Sequence, residues 1–322
     1  MKNKKLKIGI LFGGKSAEHD VSLQSAKNVI NGLDKNKYQI TPIKINKDGK
    51  FDFSLVKKFD VIFPVLHGPF GEDGSIQGLL KLAGVPFVGP SVLGSAVGMD
   101  KDVMKRLLRD AGIPIGKFFT IRKTDKINFG EAKKKLGLPL FIKPANMGSS
   151  VGINKVRNEK EFITAVKEAF KFDSKIIIEE FILGREIECA ILGNDFPMAS
   201  IPGEIIANQD FYSYNAKYID AGSKAVIPAE DMDKKTAKKI QELAIKTFQT
   251  LNCEGMSRVD FFLKKNGEVL VNEINTIPGF TNISMYPKLW EASGITSSKL
   301  LDRLIDLAIE RFETEQNLKT SI

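Results

Sequence analysis

The stretch of this chain best suited to chemistry runs from Met256 to Asn275, MSRVDFFLKKNGEVLVNEIN. Two β-rich runs flank Asn266-Gly267, a dipeptide that favours a two-residue hairpin turn. Such a turn pairs Lys265 with Glu268. Counting outward, it sets Asp260 opposite Glu273 and Arg258 opposite Asn275. Side chains alternate along a strand, so these four project from one face. Directly opposed residues have Cβ atoms about 4.5–5.5 Å apart, where like charges repel. Two carboxylates and an amide oxygen at that separation suit a divalent cation, and all-oxygen ligation favours Mg²⁺ or Mn²⁺ over zinc. Arg258, two residues along, could hold an anion beside the metal, a combination that suits phosphate chemistry. The competing reading is a solvated hairpin face. The apolar Val259, Phe261, Leu270 and Ile274 weigh against it, because they place the strands on a core.

A second feature is Met147-Gly-Ser-Ser-Val-Gly152, a glycine-rich turn between two β-like runs. Glycines let backbone amides approach a polyanion, and consecutive N–H groups form an anion-binding nest. Ser149 and Ser150 add hydroxyls, and Lys143 ends the preceding strand with a cation. Such turns also occur in inert hairpins. The chain has no GxxxxGK[ST], and GGKSAEHD near the N-terminus is not GxGxxG. Glu179-Glu180-Phe181-Ile182 ends the apolar strand IIIEEFI, an extended hinge whose backbone groups could hold adenine, with Glu186 placed for ribose hydroxyls. By itself this segment reads equally well as an edge strand with surface glutamates.

The elements that must carry these residues fall into three segments. Residues 1–95 alternate strands and helices: strand 6–12, helix 21–33, strand 38–45, strand 59–66, helix 76–83 and a fourth strand, 85–88. This βαβ pattern predicts a parallel sheet whose site lies beyond the strands' carboxyl ends. Both polar loops, GGKSAEHD and HGPFGEDGS, emerge there. Residues 96–185 open with a helix over 100–111, then strand 115–121, a hairpin of 139–144 with 152–156, helix 159–170 and strand 175–182. Residues 186–322 contain strands 186–192 and 198–206. A polar stretch from Asn208 to Lys224 follows as a candidate lid. Next come an amphipathic helix over 233–251, packing through Ile240, Leu243, Phe248 and Leu251, then the hairpin and C-terminal helices.

Composition narrows the class. Of 322 residues, 43% are hydrophobic, enough for two or three domain cores, and no apolar run reaches the length of a membrane span. Cys189 and Cys253 are far apart, and only two histidines are present, which argues against a disulfide framework or a His-rich metal centre. The cysteine usage fits a reducing cytosol, so a cytoplasmic location is expected. The net charge of +9 comes from 48 basic and 39 acidic residues. They are interleaved, with no basic run carrying aromatics, so neither a nucleic-acid nor a membrane partner is expected.

Taken together, LFGGKSAEHDVSLQSA, HGPFGEDGSIQG, KPANMGSSVGI, FYSYNAKY, RVDFF and NEINTIPGFTNISMYP resemble the ATP-grasp superfamily and, within it, the D-alanine–D-alanine ligase family. The resemblance covers nearly the whole chain. It implies a three-domain α/β (α+β) ATP-grasp fold: an N-terminal parallel-sheet domain over 1–95, a central subdomain over 96–185, and a C-terminal subdomain with lid and metal site over 186–322. It implies that ATP and two Mg²⁺ (or Mn²⁺) serve to join two D-alanines through an acylphosphate, for peptidoglycan. Lys101, Lys143 and Lys217 then touch phosphates, with Ser149 beside them, while Glu179, Glu180, Phe181, Ile182 and Glu186 hold adenosine. Asp260, Glu273 and Asn275 hold metal. Glu18 binds the first ammonium, near His67. Arg258 and the Gly279 N–H form an oxyanion hole. Ser284, beside Met285, receives the second carboxylate. Tyr218 closes the lid toward Ser150 and Glu18. A homodimer is also implied. The alternatives are a ligase for D-lactate or D-serine, which Tyr218 and apolar Met285 disfavour, and a non-catalytic nucleotide-binding regulator, which the complete metal set disfavours.

Overall fold

A computed structural model of the protein describes residues 4–126, 128–206 and 224–319. The fold is α/β and uses three sheets that succeed one another along the chain. In the first, β1 (Leu6–Gly13) lies between β2 (Tyr38–Ile45) and β3 (Val61–Val65), all parallel. Period-two alternation divides β3 between two cores. Val61, Phe63 and Val65 enter one apolar cluster and Ile62 the other, so both sheet faces are covered. The first cluster also takes in Leu300, Leu301, Leu304 and Ile305 of the C-terminal helix Ser297–Gln316, which therefore packs back on the N-terminal sheet.

The second sheet is antiparallel, in the order β4-β7-β5-β6, from β4 (Phe118–Arg122), β5 (Leu140–Pro144), β6 (Asn154–Val156) and β7 (Lys175–Glu180). The third joins β8 (Arg185–Gly193), β9 (Met198–Ala199), β10 (Gly203–Ile206), β11 (Lys224–Val226), β12 (Gly255–Leu263) and β13 (Val269–Asn275). β12 lies between β8 and β13, and all three are antiparallel neighbours. Helix Lys234–Thr250 covers one face of this sheet. Asp233 caps it by accepting from Thr236 N–H at 2.8 Å, and Ile240, Ala244 and Phe248 face inward at four-residue spacing.

Several expectations need correction. Residues 85–88 make only a bridge, Ile62 to Phe87, because Pro86 supplies no N–H and its carbonyl alone is used, by Ile62 N–H at 2.9 Å. The expected strand 198–206 is two strands with Pro202 in the break. Helices Val92–Met99 and Phe129–Leu136 were not anticipated. The first is apolar nearly all round and so carries little periodic signal. The candidate lid, with Lys217 and Tyr218, lies outside the described residues.

The hairpin reaches the expected pairing by a different route. Gly267 N–H donates to Lys264 O and Lys264 N–H to Glu268 O, both at 2.9 Å, with Gly267 at φ 80°. The loop therefore has three residues, with glycine in the left-handed position that a side chain would disfavour. This moves every pairing near the turn by one residue, so that Phe261 faces Val271. Asn272 then bulges and restores the count, leaving Asp260 opposite Glu273 and Arg258 opposite Asn275. Deleting Asn272 should remove the bulge and let Glu273 follow Val271 directly, leaving Asp260 opposite Glu273 and the inward alternation of Val271 and Ile274 intact. A crystal structure of the deletion variant should therefore still pair Asp260 with Glu273. Asn272→Ala, which keeps the bulge, should cost less than about 1 kcal/mol in urea unfolding. A deletion structure that pairs Glu273 with Val259 would refute this account of the register.

Candidate active site

The site is laid out first by strand register. Across β8, β12 and β13, Glu188 stands opposite Asp260, and Asp260 opposite Glu273. The other face of the same strands carries Ile187, Cys189, Val259, Phe261, Val271 and Ile274 into one core. Three neighbouring carboxylates on one face repel, and Arg258 meets two of them. Its Nε lies 2.9 Å from Glu188 and 2.7 Å from Asp260, and its Nη2 donates to the second Asp260 oxygen at 2.7 Å. Asn275 Nδ2 also donates to Asp260, at 2.9 Å, while Glu273 lies 3.8 Å from Lys101 Nζ. Among the described residues no three His, Cys, Asp or Glu side chains converge as a metal centre. The donor set here instead counts the Asn275 amide as its third member. Asp260, Glu273 and Asn275 offer oxygen atoms on one edge, the chemistry that suits Mg²⁺ or Mn²⁺, and such a cation would compete with Arg258 for Asp260.

The second sheet supplies the opposing cations. In β5 and β7, Leu140, Ile142, Ile176 and Ile178 face a core, which sends Phe141, Lys143, Ile177 and Glu179 to the other side. Lys143 Nζ lies 2.5 Å from one Glu179 oxygen, and Lys105 Nζ 2.9 Å from the other. Lys105 and Lys101 are one turn apart on helix Lys101–Asp110, and both are buried. Lys101 Nζ donates to Met147 O at 2.7 Å, which ties it to the glycine-rich turn. Burial opposes the charge on Glu179, but Lys105 and Lys143 overcome it and hold the carboxyl at about 2. Burial would likewise lower Lys143, yet Glu179, Glu273 and Glu186 raise its pKa.

Between the two sheets lies a cavity of about 1100 Å³. At one end of it the Phe181 ring has the Phe141 ring at 6.1 Å and Lys155 Nζ 4.3 Å above it. Glu180 is committed to β4: its N–H donates to Lys117 O at 3.0 Å, and its carboxylate accepts from Lys117 N–H at 2.8 Å. Phe181, Ile182 and Glu186 line the wall beyond that point. Ser149 and Ser150 sit in the left-handed region, φ 49° and 61°, so the turn has the curled backbone of a nest.

The opposite end is built by the N-terminal loops. Glu18, buried at the start of helix His19–Gly32, accepts from Ser149 Oγ. Both ring nitrogens of His67 are engaged inside the protein: Nε2 with Ser25 Oγ at 3.2 Å, and Nδ1 with Ile277 O at 3.1 Å. Burial lowers its pKa, against the pull of Glu18 and of the Ile277 carbonyl. Glu72 accepts from Gly68 N–H at 2.7 Å and Ile277 N–H at 3.1 Å; burial, with Glu18 beside it, raises its pKa to about 8. Gly279 lines the cavity, and a Cβ there would lie 2.8 Å from Ser284 Oγ. Ser284 opens helix Met285–Ala292 and accepts from Thr281 N–H at 2.9 Å. Met285 is buried but reaches the cavity wall.

Of the residues singled out in the sequence, Glu18, His67, Lys101, Lys143, Ser149, Ser150, Glu179, Glu180, Phe181, Ile182, Glu186, Arg258, Glu273, Asn275, Gly279, Ser284 and Met285 line one cavity, while Asp260 sits behind its wall, held by Arg258 and Asn275. Sequence reasoning passed over Glu72, Lys105 and Glu188. The last two were legible as the next residues on a face already chosen: one helical turn beyond Lys101 and two strand positions beyond Glu186.

Replacing Glu179 by Gln leaves Lys105 and Lys143 buried without their anion, which should cost about 3–5 kcal/mol. Because the folded-state pKa of Glu179 is depressed, its contribution is present above the unfolded carboxyl value of 4.5 and is lost as pH falls through about 2. Unfolding free energy measured from pH 6 to 2 should therefore fall more steeply for the wild type than for Glu179→Gln. Parallel curves would contradict this assignment.

Comparison with known proteins agrees with this layout. The family model described as "D-ala D-ala ligase C-terminus" matches residues 107–306, and the one described as "D-ala D-ala ligase N-terminus" matches residues 7–55 and 52–90. A D-alanine–D-alanine ligase of Oceanobacillus iheyensis is 50% identical over 362 aligned positions, covering 98% of this chain and 99% of the relative. The structure of the D-alanine–D-alanine ligase from Coxiella burnetii superposes with a TM-score of 0.86 at 42% identity, covering 97% of each chain. That of the Bacillus anthracis ligase complexed with ATP gives 0.83 at 32% identity, over 96% of this chain and 99% of that one. The chain belongs to the D-alanine–D-alanine ligase family of ATP-dependent ATP-grasp enzymes.

Proposed function

We propose that this protein joins two D-alanines to D-alanyl-D-alanine, using ATP, for peptidoglycan precursor synthesis. The observation that carries the reading is a single cavity with Lys101 and Lys143 on one wall and Arg258, Glu273 and Asn275 on the other. Adenine lies beside Phe181 and Ile182, with ribose at Glu186. Lys101, Lys143 and Lys217 bind phosphates, and the curled Ser149–Ser150 backbone receives them. Glu18 holds the ammonium of the first D-alanine. Asp260, Glu273 and Asn275 would hold two Mg²⁺ (or Mn²⁺), which when bound supply neutralisation of phosphate charge.

The chain's own residues then act in two steps. The carboxylate of the first D-alanine attacks the γ-phosphorus, giving ADP and an acylphosphate, while the lysines balance the moving charge. The amine of the second D-alanine attacks the acyl carbon and expels phosphate. Arg258 and the Gly279 N–H stabilise the oxyanion of the tetrahedral intermediate. The first amides of helix Met285–Ala292 and Ser284 take the second carboxylate. Tyr218 closes the lid and excludes water, which would otherwise hydrolyse the acylphosphate. The three-domain division at residues 95 and 185, a homodimer and a cytoplasmic location belong to the same reading. No helix among the described residues is long and apolar enough to cross a membrane.

Glu273→Gln should reduce turnover at least about 100-fold, because a carboxylate is lost where charge develops. Phosphate release from ATP, dependent on added D-alanine, measures it; unchanged rates at limiting Mg²⁺ would remove Glu273 from the ligand set. Selectivity is tested at Tyr218. Tyr218→Phe removes one hydrogen bond, worth about 0.5–1.5 kcal/mol net, and should raise the yield of D-alanyl-D-lactate from mixed D-alanine and D-lactate. Identical product ratios for the two proteins would show that Tyr218 does not set selectivity.

A further inference from the structure

The loop that carries Gly279 is held almost entirely by side chains from the N-terminal part of the chain. Ile277 is gripped at both peptide groups. Its N–H donates to Glu72 at 3.1 Å, and its C=O meets His67 Nδ1 at 3.1 Å. Phe280 is gripped at both as well. Its N–H donates to Ser25 Oγ at 3.2 Å, and its C=O accepts from Asn28 Nδ2 at 2.8 Å. Asn28 also donates to Asn282 Oδ1 at 2.9 Å. Between these two fixed units lie Pro278, which has no N–H, and Gly279, whose N–H makes no hydrogen bond among the described residues. The loop is thus fixed on each side of Gly279, which lines the cavity.

The grip is also internally connected. The Ile277 carbonyl can only accept, so His67 Nδ1 carries the ring proton and donates it at 3.1 Å. In the neutral ring Nε2 then accepts from Ser25 Oγ at 3.2 Å, while the same Oγ accepts from Phe280 N–H. Ser25 and His67 are buried, and the far end of the network, Glu72, is anchored by Gly68 N–H at 2.7 Å.

We propose that Ser25, Asn28, His67 and Glu72 form a clamp that aims the Gly279 N–H, and that they are positioning residues for the second bond-forming step. The inference rests on the reading of that N–H as an oxyanion donor. Preorganised donors act because they need no reorientation when charge appears, so a loop free to rotate by a few degrees forfeits that gain even with every substrate bound. The first step, phosphoryl transfer, uses other groups. The clamp therefore affects the two steps unequally, whereas residues that merely hold the fold together would not.

The experiment uses full-length Ser25→Ala and Asn28→Ala, each of which removes one clamp bond, with Ser25→Thr as the variant that keeps the hydroxyl. Steady-state dipeptide synthesis should fall about 10-fold in both alanine variants, less than the 10²–10³ seen when an oxyanion donor is removed outright. KM for ATP should fall along with kcat, leaving kcat/KM for ATP within about 2-fold, since the slowed step follows ADP formation. In rapid-quench measurements ADP should form in a burst of one equivalent per active site before the slow phase, and Ser25→Thr should restore the wild-type rate. Loss of ADP formation in step with dipeptide, without a burst, would overturn the proposal, as would failure of Ser25→Thr to rescue. Having Asn28→Ala as a second variant keeps the test decisive if Ser25→Ala does not fold. A crystal structure of the wild type with a tetrahedral phosphinate dipeptide tests the underlying reading separately. A phosphinyl oxygen beyond hydrogen-bond reach of Gly279 N–H would sink that reading. An oxygen within reach, with both alanine variants at wild-type rate, would sink the clamp alone.

Discussion

The structure depends on one constraint above the others: the register of three antiparallel strands, 185–193, 255–263 and 269–275. That register sets Glu188, Asp260 and Glu273 side by side on one face and a continuous apolar layer on the other. Apolar burial fixes which residues face inward, at about 25 cal/mol per Å². The acidic row follows as the other half of the alternation. Its mutual repulsion is unfavourable unless cations answer it, and Arg258 answers only part of it. The sheet is thus folded by its core and left with anionic demand on its open face.

The facing sheet has the opposite bias. Lys101, Lys105 and Lys143 are all buried or nearly so, and among the described residues Glu179 is the ion-pair partner of the last two. Burying ammonium groups is costly without partners, so this wall is poised for anions just as the other is poised for cations. A nucleotide phosphate chain with a divalent metal would, on the proposed reading, answer both walls at once. Family membership and this arrangement therefore agree for a physical reason: the two sheets are each electrostatically incomplete, and in complementary ways.

The N-terminal sheet contributes less through charge than through geometry. Its loops deliver Glu18, His67 and Glu72, and its first helix adds Ser25 and Asn28. The C-terminal helix Ser297–Gln316 packs on this same sheet, which binds the two ends of the chain together around the cleft. Arg311 of that helix strengthens the join by donating to Phe87 O at 2.8 Å while lying over the Phe87 ring. The loop over residues 277–280 is thus held by side chains more than two hundred positions earlier in the chain.

The sequence by itself determined much of this. Alternation and turn residues marked nearly every strand of the site, helical spacing marked Lys234–Thr250, and the pairing count marked the edge where Asp260 faces Glu273. Those signals are local, and local sterics and burial produce them. What it could not determine were features whose cause is distant in sequence. The three-residue turn and the Asn272 bulge offset one another, so the expected facing pair was reached although the expected turn was not. Residues 85–88 were overcounted as a strand: Pro86 is a local sign against one, but only the fold shows that pairing stops at a single bridge, Ile62 to Phe87. Glu72, Ser25 and Asn28 had no signal for this contact, although the first two lie in stretches that carried the resemblance: each is an ordinary polar residue until folding brings it against residues 277 to 280, more than two hundred positions away. Only tertiary structure decides such contacts, because a hydrogen bond between distant peptide groups depends on where two independently folded surfaces meet, and no pattern within either segment records it.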